Sequence, residues 1–112
     1  MTTEREQLEM AAKACGLVAK YADELSKWLL VEGVRTPLQG NHRWYWNPRA
    51  DDGDCARMEA QLGICVEWSE GWVISWHGGV QETVLFSTYA GDKNAARRAA
   101  SVAVAAEIGR LK

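Results

Sequence analysis

The apolar positions at the start of the chain recur with the spacing of a helix. The residues that fall at i, i+3, i+4 and i+7, and so share one helical face, are Leu8, Ala11, Ala12 and Cys15. Thr3 followed by Glu6 matches a capping box, in which each side chain satisfies a free backbone N–H of the other residue. The pattern predicts a helix that begins after Thr3, runs to about Cys15 and ends at Gly16.

Two short apolar runs around a polar turn follow this helix. Residues 17–21 are predicted to form a first strand, with 22–24 as the turn and 25–31 as a second strand, because this arrangement is typical of a hairpin. A helix over 22–31 is the alternative interpretation of the same residues.

Residues 33–43 are predicted to form a loop, since Gly33, Pro37 and Gly40 interrupt regular structure there. A long irregular segment is the first place to look for an adaptable contact surface. The aromatic residues 44–46 then form a short strand, which ends at Pro48 because the residue before a proline is driven out of the helical region.

Three aspartates crowd the start of the next predicted helix. Asp52 is predicted to be the N-cap, with Asp54 in the first turn, since carboxylates there accept free backbone N–H groups and complement the helix dipole. The helix should cover about 53–62. A metal or acid–base cluster is the alternative for Asp51, Asp52 and Asp54, but the ligand spacing of a calcium loop is missing and capping explains all three.

Three strands and a last helix complete the pattern. Alternation of apolar and polar positions predicts strands over 64–68, 72–77 and 80–89. Gly78-Gly79 is a strong hairpin signal between the second and third of them. Asp92 can cap a final helix over about 93–110, which is rich in alanine, the best helix former.

The predicted order of elements is helix, hairpin, aromatic strand, helix, three-stranded meander and helix. This order predicts an α+β fold: a single-domain sandwich over 1–112, with an antiparallel sheet packed against N-terminal, central and C-terminal helices. Three helices could cover both faces of such a sheet.

Composition supports one globular domain and excludes several classes of protein. The 112 residues are 47% hydrophobic and 25% charged, which argues against disorder. No apolar run is long enough to span a bilayer, and the polar N-terminus has no signal-peptide pattern, so we expect a cytoplasmic protein. The formal charge of −2 is too mild to predict a partner. Cys15, Cys55 and Cys65 are expected to be buried, reduced thiols.

The six tryptophans are the one unusual feature of the composition. Trp44, Tyr45 and Trp46 are adjacent, so their rings must alternate between the two sides of a strand. Either helices cover both sides or aromatic side chains are exposed, and Trp68, Trp72 and Trp76 raise the same alternative. Core packing is the simpler interpretation, and exposure as an interface anchor is the functional one.

No residue pattern predicts catalysis, a cofactor or a metal. His42 and His77 lack ligand spacing, and the glycines do not form a phosphate-binding loop. The candidates for contact with a partner lie on the aromatic strand and around it. They are Arg35, His42, Arg43, Trp44, Tyr45 and Arg49.

One stretch is specific enough to suggest a family. The chain resembles small bacteriophage proteins with an α/β/α ("ABA") sandwich domain and is similar in outline to NinX-like phage proteins. The matching segments are 11–14 (Ala-Ala-Lys-Ala), 46–48 (Trp-Asn-Pro), 51–54 (Asp-Asp-Gly-Asp) and 97–110. The resemblance implies a phage or prophage accessory protein in the cytoplasm of the bacterial host, and it brings no activity with it.

We therefore expect a non-enzymatic accessory protein that binds and modulates or inhibits a host bacterial protein or complex. Anti-defence inhibition, including anti-CRISPR activity, is the sharpest version of this expectation. A nucleic-acid-associated accessory protein is the weaker alternative, since no strong basic patch is visible. A homo-oligomer built on exposed tryptophans is compatible with both.

Overall fold

The elements of the protein follow one another in the predicted order. The computed structural model describes residues 3–21, 26, 28–34 and 41–112, and it covers only the backbone of 32–34 and 41–44. The elements are α1 Glu4–Ala14, β1 Val18–Tyr21, β2 Leu29–Val34, β3 Asn41–Trp46, α2 Asp52–Leu62, β4 Cys65–Trp68, β5 Trp72–His77, β6 Val80–Leu85, a 3-10 helix Phe86–Tyr89 and α3 Lys93–Arg110.

The six strands within the described residues form two antiparallel sheets, and the predicted α+β class is confirmed. The first sheet has the order β1-β2-β3 and the second has the order β4-β5-β6. The strand β3 is the last strand of the first sheet, and α2, which follows it, packs into that sheet's core through Cys55 and Met58. The second sheet begins after α2, so the single sheet of the prediction is divided in two.

Helix α3 is buried on most of its surface and contributes to the cores of both sheets. The smaller core, under the second sheet, consists of Val73, Phe86, Ala96 and Ala100. The residues that α3 gives to the larger core, shared with α1, α2 and the first sheet, are Val102, Val104 and Ala105. A helix that is apolar nearly all round is an interior helix, which explains the wide apolar surface of its sequence.

The C-terminal ends of α1 and α3 approach each other closely. A Cβ atom added at Gly109 would lie 1.9 Å from the carbonyl oxygen of Met10, so only glycine fits at this crossing. The Lys112 ammonium donates a hydrogen bond to the Ala14 carbonyl oxygen at 3.0 Å. None of the helices in the described ranges is both long and apolar enough to cross a membrane.

The helix ends follow the predicted chemistry, with one correction. The Thr3 hydroxyl accepts a hydrogen bond from the Glu6 N–H at 3.1 Å, which confirms the Thr3 half of the predicted capping box. The prediction that Asp52 caps α2 is wrong by one residue. Asp51 is the N-cap, because its carboxylate accepts the Asp54 N–H at 2.8 Å and Asp52 already belongs to the first turn.

The first hairpin differs from the prediction at its boundaries. The strand β2 begins at Leu29 and continues to Val34, so the alternative helix over 22–31 is wrong for Leu29 onward. The predicted loop over 33–43 is strand at both ends, because β2 and β3 continue their pairing there. The added pairs are Glu32 with Arg43, Gly33 with His42 and Val34 with Asn41. The rest of that loop, 35–40, and the predicted turn at 22–24 lie outside the described residues.

The last predicted strand is shorter than expected. The strand β6 ends at Leu85, and Phe86–Tyr89 form a 3-10 helix in place of the predicted strand end. Phe86 is 7% exposed and belongs to the smaller core, so the chain turns there to bury its ring. The strands β1 and β4 begin one residue later than predicted, and β5 has the predicted bounds.

Candidate interaction surface

The residues that the sequence singles out for contact with a partner lie in different environments. Arg35 is outside the described residues. The backbone alone is described for His42, Arg43 and Trp44 of β3. Tyr45 is 59% exposed on the outer side of the first sheet, whereas Trp46 is 5% exposed and belongs to the larger core. The predicted alternation of the aromatic strand is therefore confirmed for this pair.

Arg49 is engaged within the protein. Its guanidinium donates hydrogen bonds to the Gln7 side-chain oxygen at 3.1 Å and to the Tyr89 hydroxyl at 3.3 Å. It also forms an ion pair with Glu4 at 3.3 Å, and the Arg49 side chain is only 19% exposed. These bonds join α1 to the segment before α3. Contact between Arg49 and a partner stays a prediction.

The last aspartate of the acidic motif (residues 51–54) belongs to a closed hydrogen-bonded unit. The Asp54 carboxylate is nearly buried and accepts the Asn47 N–H at 3.0 Å. The Arg57 guanidinium donates to the same carboxylate at 2.7 Å. Asn47 in turn accepts the Arg49 N–H on its side-chain oxygen at 2.9 Å. The turn that leads into α2 is thus fixed by the helix that it precedes.

The remaining aspartate of the motif also has an internal partner. Arg98 of α3 donates to the Asp52 carboxylate at 2.7 Å and to the Arg49 carbonyl oxygen at 2.8 Å. The capping interpretation of the motif is therefore confirmed for Asp51, and structural bonds explain the other two aspartates. Among the described residues, no three or more His, Cys, Asp or Glu side chains come together where they could hold a metal ion.

A second polar cluster lies buried between α2, α3 and β5. The Glu59 carboxylate accepts two hydrogen bonds from the Arg97 guanidinium and one, at 2.5 Å, from the Ser101 hydroxyl. The Ser101 hydroxyl oxygen also lies 2.8 Å from that of Ser75 in β5. Ser75 and Ser101 are fully buried, so this chain of bonds fixes β5 against α3 in the interior.

The cluster does not activate Cys55 as a nucleophile. Cys55 lies beside Glu59 and is fully buried, and burial together with the Glu59 charge raises the pKa of its thiol to about 12. A thiol with such a pKa stays protonated at neutral pH and is a poor nucleophile. Of the two histidines, His77 lies at the end of β5, with its Nδ1 3.3 Å from the Gly63 carbonyl oxygen.

The prediction of three buried thiols is wrong for one of them. Cys15 and Cys55 are buried, and burial raises the pKa of Cys15 to about 11. Cys65 is exposed, because it lies on the outer side of β4, which alternates away from the core.

The outer face of the second sheet carries large apolar side chains. Val73 and Ser75 are fully buried on the side that faces α3. Because successive residues of a strand alternate, Trp72, Ile74 and Trp76 point to the opposite side. Trp72 is 41% exposed, and the other two are partly exposed. The predicted alternation of β5 is confirmed, but its tryptophans lie on the outer face and the smaller side chains face the core.

Strand pairing arranges the outer face as a grid, which we call the tryptophan face. Its three rows are Trp72 with Leu85, then Glu67 with Ile74 and Thr83, then Cys65 with Trp76 and Gln81. Leu85 is 53% exposed, and Glu67 is the one charged side chain in the grid. The tryptophan face therefore has an aromatic and aliphatic centre with a carboxylate at its edge.

Trp68 does not belong to this face. It pairs with Val73 and so lies on the inner side of the sheet, at the open end where it is 48% exposed. Its ring centre is 6.1 Å from that of Phe86. Two of the three meander tryptophans, Trp72 and Trp76, thus share the outer face.

The described side chains on the outer side of the first sheet offer less to a partner. It has an open depression of about 150 Å³ lined by Val18, Ala19, Lys20 and Leu30. Val18 is 75% exposed, and Tyr45 lies beside Leu30 across the strand pair. Single exposed aliphatic residues are common on protein surfaces, and none of the described residues that line this depression is a tryptophan.

Comparison with known proteins adds no relative to these observations. No protein-family model matches the chain, and neither a curated protein nor a solved structure matches it. The resemblance of 46–54 to small phage proteins therefore stays a prediction. The function has to be inferred from the residues and their geometry.

Proposed function

We propose that this protein is a non-enzymatic accessory protein that binds another protein through the tryptophan face. The observation that carries this proposal is the exposure of Trp72 and Leu85 side by side, with Ile74 and Trp76 next to them, on one face of a sheet. Tryptophan is enriched at protein interfaces and among the residues that dominate binding energy. A partner that covers these side chains removes apolar surface from water.

The size of the tryptophan face suits the centre of an interface. From the spacings of β-strands, the grid extends roughly 10 Å across three strands and roughly 14 Å along β5. A stable interface covers about 800 Å² on each partner, so the grid supplies its core and the surrounding turns must supply its rim. Residues that dominate binding lie near the centre of such interfaces, where Ile74 would be, with Trp72 and Trp76 on either side of it.

The tryptophan face is supported rigidly from behind. Ser75 lies in β5 between Ile74 and Trp76, and its hydroxyl is bonded to Ser101 of α3. Val73, on the same inner side, is packed in the smaller core. A surface that is ordered before binding loses little conformational entropy when a partner docks, which favours affinity.

The internal hydrogen bonds of the acidic side chains favour binding over catalysis. Asp51, Asp52, Asp54 and Glu59 are each occupied by internal hydrogen bonds. A catalytic acid or base needs free access to its substrate, and these carboxylates are already used to hold α2 in place. The resemblance to phage proteins predicts that the partner is a host bacterial protein, with anti-defence inhibition as the sharpest version.

A matched pair of variants tests the tryptophan face. Trp72→Ser removes an exposed aromatic side chain from the second sheet, and Tyr45→Ser removes one from the first. Purified wild type and both variants, immobilised in equal amounts, are exposed to lysate of the bacterium that carries the gene. We expect wild type and Tyr45→Ser to retain the same protein in stoichiometric amount, and Trp72→Ser to retain less than about a tenth of it.

The control for this experiment is the stability of the variants. Circular dichroism and urea unfolding should show that both variants fold, since each replaces an exposed side chain. Equal retention by Trp72→Ser and wild type would contradict the proposal, as would the absence of any protein retained by wild type.

A further inference from the structure

The second sheet carries carboxylates and neither Lys nor Arg. Between Arg57 and Lys93 the sequence contains no residue of these two types. Glu67, Glu70 and Glu82 lie in this segment, and all three are exposed. The three negative charges of these glutamates exceed the formal charge of the whole chain, which is −2. The remainder of the chain therefore has a slight positive charge.

These three carboxylates stand apart from the ion pairs formed among the described residues. Within the described part of the chain, Glu67, Glu70 and Glu82 form no ion pair with Lys or Arg, whereas Asp52 pairs with Arg98 and Glu107 with Arg110. An uncompensated group of like charges creates a local negative potential that attracts cations and repels anions. Glu67 belongs to the tryptophan face, so this negative potential extends over that face.

The carboxylates lie at different places around this face. Glu67 pairs with Ile74 and so stands beside the centre of the grid. Glu70 belongs to the turn that joins β4 and β5, just before Trp72. Glu82 is in the edge strand β6 and pairs with Ser75, so it lies on the inner side of the sheet, away from the grid. A partner that covers the tryptophans must come close to at least the first two.

We infer that the partner is a protein whose docking surface is basic, with Lys or Arg side chains around an apolar centre. The inference rests on the proposed function and adds the chemistry of the partner. Arginine suits this surface because its guanidinium can pair with Glu67 and also stack on the ring of Trp72 or Trp76. Complementary charge speeds the encounter and excludes acidic partners.

The same charges disfavour the two other occupants of the surface. Nucleic-acid binding depends mainly on Lys and Arg contacts to phosphates, and the second sheet has neither residue. Two copies of this chain, joined through their tryptophan faces, would bring together both sets of carboxylates without a Lys or Arg from either sheet. An acid-rimmed aromatic surface is instead complementary to a basic one.

Short fluorescent peptides of stated composition test the inference, whichever protein the partner is. The probes are a peptide of alternating arginine and leucine, its glutamate–leucine and serine–leucine counterparts, and a single-stranded oligothymidylate. Fluorescence anisotropy measures their binding to wild type, to Trp72→Ser and to a triple variant with Glu67→Gln, Glu70→Gln and Glu82→Gln. Light scattering on the free protein reports self-association.

We expect the arginine–leucine peptide to bind wild type most tightly of the four probes. Its affinity should fall about tenfold in the triple variant, because the exposed ion pairs with Glu67 and Glu70 are lost, and by a similar factor when salt rises from about 50 to about 500 mM. The serine–leucine peptide should bind the triple variant and wild type equally.

Several results would overturn the inference. The inference fails if the serine–leucine, glutamate–leucine or oligothymidylate probe binds wild type more tightly than the arginine–leucine peptide does, or if no probe binds. It also fails if the triple variant binds the arginine–leucine peptide as tightly as wild type does. Dimerisation of the free protein that Trp72→Ser abolishes would contradict it as well. The proposed docking face fails separately if Trp72→Ser binds the arginine–leucine peptide as wild type does. In that case, the charges attract the peptide but the tryptophan face does not hold it.

Discussion

Two acidic regions of this protein differ in what surrounds them. In α2 and the turn before it, Asp51, Asp54 and Glu59 accept hydrogen bonds from the backbone or from arginines. In the second sheet, Glu67 and Glu70 are exposed, and no Lys or Arg of the described residues pairs with them. The carboxylates of the first region lie close together in the sequence, whereas those of the second region are spread over two strands and a turn.

The difference shows that the number of carboxylates in a motif does not identify a binding surface. The closely spaced aspartates resemble a metal or acid–base site, yet their hydrogen bonds hold the start of α2 in place. The dispersed acids look ordinary in the sequence, yet they remain available to a partner. The two regions therefore lead to different predictions. Substitutions should lower the stability of the protein in the first region and its affinity for a partner in the second.

The largest loss of stability should follow Glu59→Ala. This change leaves the Arg97 guanidinium and the Ser101 hydroxyl without their acceptor in a mostly buried place. Removal of one member of a buried ion pair costs roughly 3–5 kcal/mol of unfolding free energy. Urea unfolding measures the loss. The matched control is Glu107→Ala, which breaks the exposed pair with Arg110 and should cost far less unfolding free energy, because water screens that pair. Equal losses would contradict the account.

A smaller loss is expected for Asp54→Ala, with its near neighbour as the control. Asp54 is 3% exposed and accepts bonds from Asn47 and Arg57, so its removal should cost about 2–3 kcal/mol. Asp52→Ala removes a carboxylate that is 55% exposed and should cost under about 1 kcal/mol. If both variants unfold at the same urea concentration, the acidic turn is not the closed unit that the bonds indicate.

The buried thiols should make stability fall as the pH rises. Burial raises the pKa of Cys55 to about 12 and that of Cys15 to about 11, from an ordinary 9.0. Between pH 9 and these values, the unfolded thiols lose protons that the folded ones keep, so higher pH favours unfolding. Each thiol contributes up to about 1.4 kcal/mol per pH unit in this window.

Urea unfolding under reducing conditions, from about pH 8 to about pH 10.5, measures this slope. Cys55→Ala should lower the slope, whatever it does to stability at neutral pH. Cys65→Ala is the control and should leave the slope as it is, because Cys65 is exposed on the tryptophan face. A slope that is the same in wild type and Cys55→Ala would show that the Cys55 thiol is not held protonated.

The smallest effect on stability should come from the surface acids. The triple variant with Glu67→Gln, Glu70→Gln and Glu82→Gln changes only exposed residues without ion pairs among the described residues. Its unfolding free energy should lie within about 0.5 kcal/mol of wild type. A loss comparable with that of Asp54→Ala would mean that these carboxylates are structural, and the contrast between the two regions would disappear.

Local patterns in the sequence predict most of the fold, because each acts over a few residues. The Thr3 and Asp92 caps, the Gly78-Gly79 hairpin and the bounds of β5 all follow from such patterns. The division into two sheets depends instead on where α3 packs between distant elements. The end of β6 depends on the burial of Phe86, which local alternation cannot anticipate.

The candidate surface is harder to predict, because it depends on which face of a sheet is covered. Alternation correctly separates Trp72, Ile74 and Trp76 from Val73 and Ser75. Hydrophobicity alone then places the tryptophans inside, whereas the alanine-rich face of α3 packs on the small residues. The absence of Lys and Arg between Arg57 and Lys93 is the one signal in the sequence that marks this sheet as unusual.

The most direct test of the tryptophan face uses a probe that the protein already contains. Cys65 pairs with Trp76 in the grid and is exposed, whereas Cys15 and Cys55 are buried. The rate of alkylation of Cys65 by iodoacetamide is measured with and without saturating protein partner or arginine–leucine peptide. We predict that the bound partner slows this reaction at least about tenfold, because it covers the thiol. An unchanged rate at saturation would contradict the account, since the partner would then bind elsewhere.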